Sequence, residues 1–217
     1  MSVRAKVLIS VIVTLLIFIG IILYFSYLGL RGNPEYEAEL KKVAQQYLDE
    51  NFDEKATVVN SFYDGANIYE EFTYAAIAEI ENNDDFRILV FYYKDTGEMI
   101  DSLVAETWEH ELEQYLTPKL NDIFGEEQIE ELWIKYPKDV GKVLNISNDD
   151  IPSLKGQNAN PVIRITLNRK QHDDDEDLIE SIANELKEEL QIPNGNITLA
   201  YNDSGFFFKS KSIIKNF

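Results

Sequence analysis

The fold is decided by the segment Phe86-Arg87-Ile88-Leu89-Val90-Phe91-Tyr92-Tyr93, which runs into Lys94-Asp95-Thr96-Gly97. The first part is apolar on both faces apart from one arginine, which predicts a central strand of a sheet covered on both sides. The Asp-Thr-Gly that follows is typical of a hairpin turn, because Gly accepts a positive φ and Asp hydrogen-bonds to the turn backbone. The segment therefore predicts an antiparallel sheet.

The sequence before this strand predicts a helix and two further strands. Residues 35–51 place apolar side chains at i, i+4, i+7 and i+8, which indicates an amphipathic helix. Residues 56–63 are rich in β-forming types, and apolar residues alternate with their neighbours over 72–80. We expect the helix to pack across the resulting antiparallel sheet.

The sequence after the strand alternates helical and strand patterns. Apolar residues at helical spacing over 103–124 predict a long helix, which Pro118 should kink or restart with Thr117 as N-cap and which Gly125 should end. The remaining expected elements are a strand at 132–136, a helical turn at 140–144, a strand at 162–167, a helix at 175–190 and a terminal hairpin of 197–201 with 206–208.

The N-terminal part predicts a membrane anchor. From Val7 to Leu30 there is no charged residue, and a helix of that length reaches about 36 Å, enough to cross a hydrocarbon core of about 30 Å. No small-x-small cleavage site follows, so we expect an uncleaved signal anchor. Because Arg4 and Lys6 precede the span, the positive-inside rule places the N-terminus in the cytoplasm and the rest outside.

These patterns define the expected organisation of the chain. The fold class is α+β: a transmembrane helix, then a helix-plus-antiparallel-sheet ectodomain of one or two small modules. The pattern Tyr-x-Asp-hydroxyl-Gly occurs at 93–97 and again at 201–205, which hints at an internal repeat. The expected segments are a cytoplasmic N-terminus at 1–6, the span at 7–28, a linker at 29–34, a first α+β module at 35–125, and 126–217 as a second module or an extension of the first.

Composition excludes several function classes. The chain of 217 residues carries a net charge of −19, and the part beyond the span, with 18 basic and 39 acidic residues, carries −21. Nucleic-acid binding needs a basic face, so no nucleic-acid partner is expected. There is no cysteine, which excludes disulfides, thiolate zinc sites and cysteine nucleophiles.

Three motifs resemble catalytic or metal sites, and each has a plainer explanation. Asp-Thr-Gly and Asp-Ser-Gly occur in aspartic proteases, but here they follow Lys94 and Asn202, and hairpin turns explain them better. His110-Glu111 lacks the second histidine of the zinc-protease pattern, because position 114 is Gln. We assign no catalytic, cofactor-binding or metal-binding residue from these motifs.

The acidic run Asp173-Asp174-Asp175-Glu176-Asp177 beside His172 has two explanations that stay open. Carboxylates at the start of a helix favour the positive end of its dipole, which makes capping the first explanation. Weak binding of a divalent cation is the second, although the run fails the EF-hand pattern at its sixth and twelfth positions.

The run Phe91-Tyr92-Tyr93-Lys94-Asp95-Thr96-Gly97-Glu98-Met99-Ile100-Asp101 is followed by a helix carrying Trp108 and preceded by a helix and three strands. This order resembles a loose group of uncharacterised membrane-anchored envelope proteins of Gram-positive Firmicutes. The strand that ends in Asp-Thr-Gly is also similar to the close of a PepSY or TseB-like module. The resemblance covers 35–124 and implies a domain outside the membrane that binds or inhibits and does not catalyse. It supplies no catalytic residue.

Together these observations favour a single-pass, extracytoplasmic, acidic module of the cell envelope, with its membrane, another envelope protein or a wall component as partner. No nucleophile, base and oxyanion group are assembled, which favours a non-enzymatic role and no cofactor. Two alternatives remain. One is a carboxylate-dependent hydrolase of cell-wall glycan or peptide, because such a site leaves no sequence motif. The other is a divalent-cation-responsive structural domain that uses residues 172–177.

Overall fold

The computed structural model describes residues 12–22, 24, 31–81, 83–202 and 212–217. Beyond residue 31, the described residues form two four-stranded sheets, the first packed with one helix and the second with several. The α+β class expected from the sequence is therefore confirmed, and most strand pairs in both sheets are antiparallel.

The first sheet is an antiparallel meander with one helix on it. Its strands follow the chain order β1-β2-β3-β4. The elements are α1 (Pro34–Asn51), β1 (Ala56–Tyr63), β2 (Tyr74–Ile80), β3 (Asn83–Tyr92) and β4 (Met99–Asp101).

Helix α1 begins where its sequence provides a cap. The Asn33 side chain accepts hydrogen bonds from the amides of Glu35 and Tyr36, and Pro34 stands at the first helical position, where its missing N–H costs nothing. The buried face of α1 consists of Leu40, Ala44 and Leu48. This face packs on the small side chains Ala76 and Ala78 of β2, together with Ile80, Ile88 and Val90.

Strand β3 has buried side chains on both faces, as its sequence predicted. Ile88 and Val90 face α1, whereas Phe91 belongs to a separate cluster on the opposite face, with Phe72 and Ile100. The turn after β3 is also confirmed: Gly97 has a φ of 72° and its amide donates to the Tyr93 carbonyl at 2.7 Å.

The second sheet follows the order β5-β6-β7-β8 and contains one parallel pair. Strands β6 and β7 run parallel, whereas the other two pairs are antiparallel. The elements are α2 (Leu103–Phe124), β5 (Ile129–Lys135), α3 (Val140–Val143), β6 (Val162–Leu167), α4 (Asp175–Glu188), β7 (Asn196–Tyr201) and β8 (Ser212–Asn216).

The parallel pair differs from the purely antiparallel ectodomain that the sequence suggested. Helix α4 connects β6 to β7 and buries Ile179, Ile182 and Leu186 in the same core as the sheet. A helix that covers the sheet returns the chain to the starting edge, so the next strand runs parallel to the previous one.

Helix α2 continues through Pro118 as one element, so of the two expected alternatives, a kink or a restart at Thr117, the restart is wrong. Pro118 lies on the exposed side, and the Thr117 hydroxyl donates to the Glu113 carbonyl at 2.7 Å. Leu116 and Leu120, on either side of the proline, are both buried. The parts of α2 before and after Pro118 therefore pack against the same core. Gly125, with a φ of 86°, ends the helix as expected.

The buried face of α2 packs with the second sheet. Trp108, Leu112, Leu116 and Leu120 share one core with strands β6 and β7 and helix α4. The core clusters divide between β4 and α2, whereas the sequence left open whether 126–217 is a second module or an extension of the first. The pattern of α2 alone could not show this, because helical spacing reports a buried face but not its partner.

Asp101 connects the two halves at that point. Its Oδ2 accepts from the Tyr47 hydroxyl of α1 at 2.7 Å and from the Asn148 side chain at 2.8 Å, and its Oδ1 accepts from the Leu103 amide at 2.9 Å. One carboxylate thus links α1, the start of α2 and the loop after α3.

Two expected elements reach beyond the described residues. Residues 12–22 are helical, with exposed apolar side chains, but the predicted span 7–28 extends on both sides into residues outside the description. Among the described residues, no helix has the length and hydrophobicity that a membrane span requires. The expected strand 206–208 and the second turn motif at 203–205 also lie outside; the described partner of β7 at this end is β8.

The two tryptophans allow a paired test of the core. Trp108 is fully buried, contacts Tyr136 with ring centroids 5.7 Å apart, and donates its indole N–H to the Pro152 carbonyl at 2.8 Å. We expect Trp108→Ala to lower the free energy of unfolding by about 3–5 kcal/mol, measured by urea denaturation. The control, Trp133→Ala, removes a side chain that is 42% exposed and should cost about 1 kcal/mol or less. Equal losses would contradict the core described here.

Candidate functional site

A buried lysine lies where the two halves of the chain meet. The Lys138 side chain is only 6% exposed, and its Nζ lies 2.8 Å from a carboxylate oxygen of Glu106 and 2.8 Å from one of Glu109. Ion pairs with so little exposure to solvent are rare, because each buried charge must be compensated by a neighbouring group at hydrogen-bond distance. We refer to Lys138, Glu106 and Glu109 as the lysine cluster.

Three elements position the lysine cluster. The i, i+3 spacing of Glu106 and Glu109 puts both carboxylates on one face of α2. The segment after β5 turns back along this face, so that the Tyr136 amide donates to Glu109 at 2.7 Å. The Lys138 amide then donates to Glu71, in the loop between β1 and β2, at 2.8 Å. The cluster therefore joins the first sheet to the second.

Two negative charges share one positive charge here, and the ionisation of Glu109 reflects it. Burial raises the pKa of Glu109 to about 7; the Lys138 ammonium opposes this rise and the Glu106 carboxylate adds to it. Burial by itself would lower the pKa of Lys138, but the two carboxylates outweigh it and hold the pKa above its ordinary value. The lysine therefore stays charged, whereas burial favours the protonated form of Glu109.

An open cleft of about 400 Å³ lies beside the cluster, where the two sheets meet. The loop between β1 and β2 forms one wall, and the segments around the end of β5 and the start of β6 form the other. We call this space the junction cleft. Its lining consists of Ile68, Glu70, Glu71, Tyr93, Asp95, Lys135, Tyr136, Pro137, Asp139, Asn160 and Val162.

The floor of the junction cleft contains a carboxylic acid in an unusual environment. Asp139 is only 9% exposed, and burial raises its pKa, with Glu71 and Asp95 adding to the rise and a hydrogen bond from Tyr93 opposing it. The Tyr93 hydroxyl also donates to Asp95 at 3.0 Å. The Tyr93 hydroxyl thus lies close to both carboxylates and donates its one hydrogen to Asp95.

A second opening lies on the other side of the lysine cluster, with a volume of about 300 Å³. Arg87 and Leu89 of β3 form one wall, and Trp133 of β5 forms the other. Arg87 is paired with Glu79 at 2.9 Å, so its charge is already compensated. The lysine cluster itself lines this opening, in which acidic and basic side chains nearly balance, whereas acidic side chains predominate in the junction cleft.

The acidic run is organised around Asp175, in a manner that differs from simple capping. Asp175 is fully buried: its carboxylate lies 2.6 Å and 3.0 Å from the Arg169 guanidinium and accepts from the Tyr201 hydroxyl and the His172 amide. Burial opposes ionisation, but the arginine and the other donors hold its pKa below the ordinary value. The N-cap residue Asp174 makes no side-chain capping bond.

Neither the acidic run nor the histidine motif forms a metal site within the described residues, where no group of three or more histidine and acidic side chains could hold an ion. His110 lies on the exposed side of α2 beside Gln114, 2.8 Å from its side-chain nitrogen. The Asp95-Thr96-Gly97 motif lies in the hairpin turn, with Asp95 at the rim of the junction cleft.

Sequence reasoning did not find the lysine cluster. Lys138 lies in a stretch rich in Asn, Asp, Gly and Pro, where a lysine ordinarily points to solvent. Two glutamates three residues apart on a helix are equally ordinary, although they stand on the side next to Trp108. The signal that could have raised attention is Glu109, which shares a helical face with Ala105, Leu112 and Leu116.

Comparisons with known proteins add little to this geometry. No family model matches the chain, and the search of curated proteins finds no match. The chain is similar to a crystal structure of a DUF5037 family protein from Ruminococcus gnavus, with 14% sequence identity, 75% of each chain covered and a TM-score of 0.35. A likeness at that level carries no argument about fold or function.

The ionisation of Glu109 should appear in the pH dependence of stability. Its pKa rises from an ordinary 4.5 to about 7 on folding, so the folded protein binds the proton more tightly than the unfolded chain. This contribution to stability is therefore fully present below pH 4.5 and is lost as the pH rises to about 7. We expect Glu109→Gln to flatten this part of the profile, measured by urea denaturation at a series of pH values. The control Glu113→Gln, on the exposed side of α2, should follow the native profile. A Glu109→Gln profile parallel to the native one would contradict the assignment.

Proposed function

We propose that this chain is a membrane-anchored, extracytoplasmic module that acts by binding and not by catalysis. The uncharged stretch from Val7 to Leu30, preceded by Arg4 and Lys6, supports the anchor and its orientation. The net charge of −21 beyond the predicted span supports a domain that stands away from anionic headgroups. The partner we propose is another envelope protein.

One observation carries the non-enzymatic role: the Lys138 ammonium fills the space between Glu106 and Glu109. Each carboxylate has an oxygen 2.8 Å from the same nitrogen, so these oxygens lie at most twice that distance apart, with the ammonium between them. A pair of catalytic carboxylates needs the bond to be cleaved between its members. The cluster is therefore better suited to hold two halves together than to attack a substrate.

A hydrolase of cell-wall glycan or peptide is the second candidate, because Glu109 has the pKa of a general acid at neutral pH. This role would require the lysine to move aside and admit substrate. Purified protein would then release soluble fragments from cell walls, and Glu109→Gln would abolish the release. The binding role predicts no release from either protein.

The orientation can be tested with single cysteines, since the native chain has none. Val143 is 63% exposed on the short helix α3, which makes Val143→Cys accessible without disturbing the core. We expect a membrane-impermeant maleimide to label this variant in intact cells. The control, Ser2→Cys, should be labelled only after lysis. Labelling of Val143→Cys only after lysis would contradict the proposed location.

The binding role can be tested by crosslinking in intact cells. We expect the full-length chain, tagged at its C-terminus, to crosslink to a discrete envelope protein and to retain it at a fixed ratio through detergent purification. The Trp108→Ala variant, with its core disrupted, should lose this product. If the native chain gives no crosslinked product and the purified protein releases soluble wall fragments, the hydrolase is favoured instead.

A further inference from the structure

The walls of the junction cleft combine apolar rims with an acidic interior. Ile68 is 64% exposed on one wall and Val162 is 39% exposed on the other. Large aliphatic side chains at the mouth of a cleft are unfavourable in water and gain free energy when a ligand covers them. The volume of about 400 Å³ lies within the range of ordinary ligand sites.

The charges inside the cleft are unbalanced. Four of the lining residues are acidic, namely Glu70, Glu71, Asp95 and Asp139, and one is basic. That residue, Lys135, places its ammonium 4.0 Å from the centre of the Tyr69 ring, where a cation–π contact holds it. The lining of the cleft therefore carries an excess of negative charge, with Glu70 and Asp95 exposed to solvent and Asp139 buried.

Two of the acidic residues, Glu71 and Asp139, are restrained before any ligand arrives. One Glu71 oxygen accepts from the Lys138 amide at 2.8 Å, and the Glu71 carbonyl accepts from the Lys94 amide at 2.9 Å. Asp139 is nine-tenths buried, which limits the rotamers of its side chain, and its backbone is fixed because its carbonyl accepts from the Val143 amide at 2.9 Å. Fixed carboxylates lose little entropy on binding, so their attraction for a cation is not spent on ordering them.

We propose that the junction cleft is a docking groove for a basic segment of a partner protein, with an arginine or lysine side chain inserted toward Asp139. This inference rests on the proposed binding role and names the chemistry of the partner. Arginine and lysine carry a charged head on an apolar stem, which matches an acidic floor below an apolar rim. A small metal ion would leave the apolar rim uncovered, and an anionic ligand would be repelled.

The charge of the whole domain favours the same partner. A net charge of −21 beyond the predicted span attracts a basic partner over long distances, which raises the association rate at low ionic strength. The cleft then selects among basic partners, because only a segment that can present a long cationic side chain next to apolar groups fits both rim and floor.

The test uses the full-length protein in detergent and a fluorescent seven-residue peptide of alternating arginine and alanine. We expect saturable binding by fluorescence anisotropy that weakens between 50 and 200 mM salt, as expected for charge pairs at this depth. The same peptide with citrulline in place of arginine keeps the shape and removes the charge, so it should not bind. Spermidine should compete poorly, since it lacks the arrangement of apolar groups on a peptide.

Matched variants assign the binding to the cleft. The double variant Asp95→Asn and Asp139→Asn removes two charges from the cleft and should weaken peptide binding by about tenfold. The control double variant, Asp173→Asn and Glu188→Gln, removes two charges from the exposed parts of the acidic run and α4 and should bind within about twofold of the native chain. The single variant Asp95→Asn, at an exposed turn position, should keep the native melting temperature and still weaken binding.

Three results would overturn the inference: no binding of the arginine peptide, equal binding of the citrulline peptide, or equal weakening by the two double variants. The last result would show attraction by overall charge alone. If the crosslinking experiment captures a stoichiometric partner while the cleft variants bind it normally, the binding role stands and the groove is wrong. If neither partner nor peptide is captured, both fail.

Discussion

The arrangement of this domain depends on one buried ammonium group. Lys138 carries a full positive charge into a site that is almost closed to water, and among the described residues Glu106 and Glu109 compensate it there. Such a group cannot shift by even a few ångströms without losing compensation, so the segment after β5 has a single acceptable path along α2. Its amide reaches Glu71 of the first half, and the two sheets are thereby fixed relative to each other. Apolar packing of α2 against the second sheet supplies most of the stabilising free energy, whereas the charges supply direction.

The path that brings Lys138 inward also builds the junction cleft. The next residue, Asp139, lines the cleft from the same short segment, and Lys135, three residues before Lys138, lines its edge. Within residues 135–139, Lys138 therefore belongs to the lysine cluster, whereas Lys135 and Asp139 line the cleft. The lysine cluster has one basic and two acidic side chains, so its charges nearly cancel. The cleft, with four acidic side chains and one basic side chain, keeps an excess of negative charge. The difference arises from position: the ammonium lies on the α2 side of the segment, where its charge is used up by the two glutamates and cannot neutralise Asp139.

The elements of the fold were predictable to the extent that local periodicity fixes them. Helix α1, the strands of the first sheet and helix α4 carry apolar residues at the spacing of their own secondary structure, and the Asp95-Thr96-Gly97 turn carries its own chemistry. What periodicity lacks is the identity of the partner surface. It could not assign α2 to the second core, nor reveal that α4 makes β6 and β7 parallel, since both depend on which faces meet in space. The lysine cluster was out of reach for the same reason: its three members are ordinary surface types until the fold removes their water.

The same reasoning separates the two acidic features that the sequence displays. The run at 173–177 is the more conspicuous in sequence, yet its buried member Asp175 is paired with Arg169 and Tyr201, so its charge is used within the fold. The acidic groups of the junction cleft are scattered over three segments, and no window of sequence contains them together. Contiguous charge is compatible with solvation and helix electrostatics alone, because each side chain can turn to water. Charge that the fold gathers from distant segments into a confined space carries an unfavourable repulsion that solvent relieves only in part, and a cation relieves it best. The dispersed carboxylates are therefore the better guide to binding than the adjacent ones.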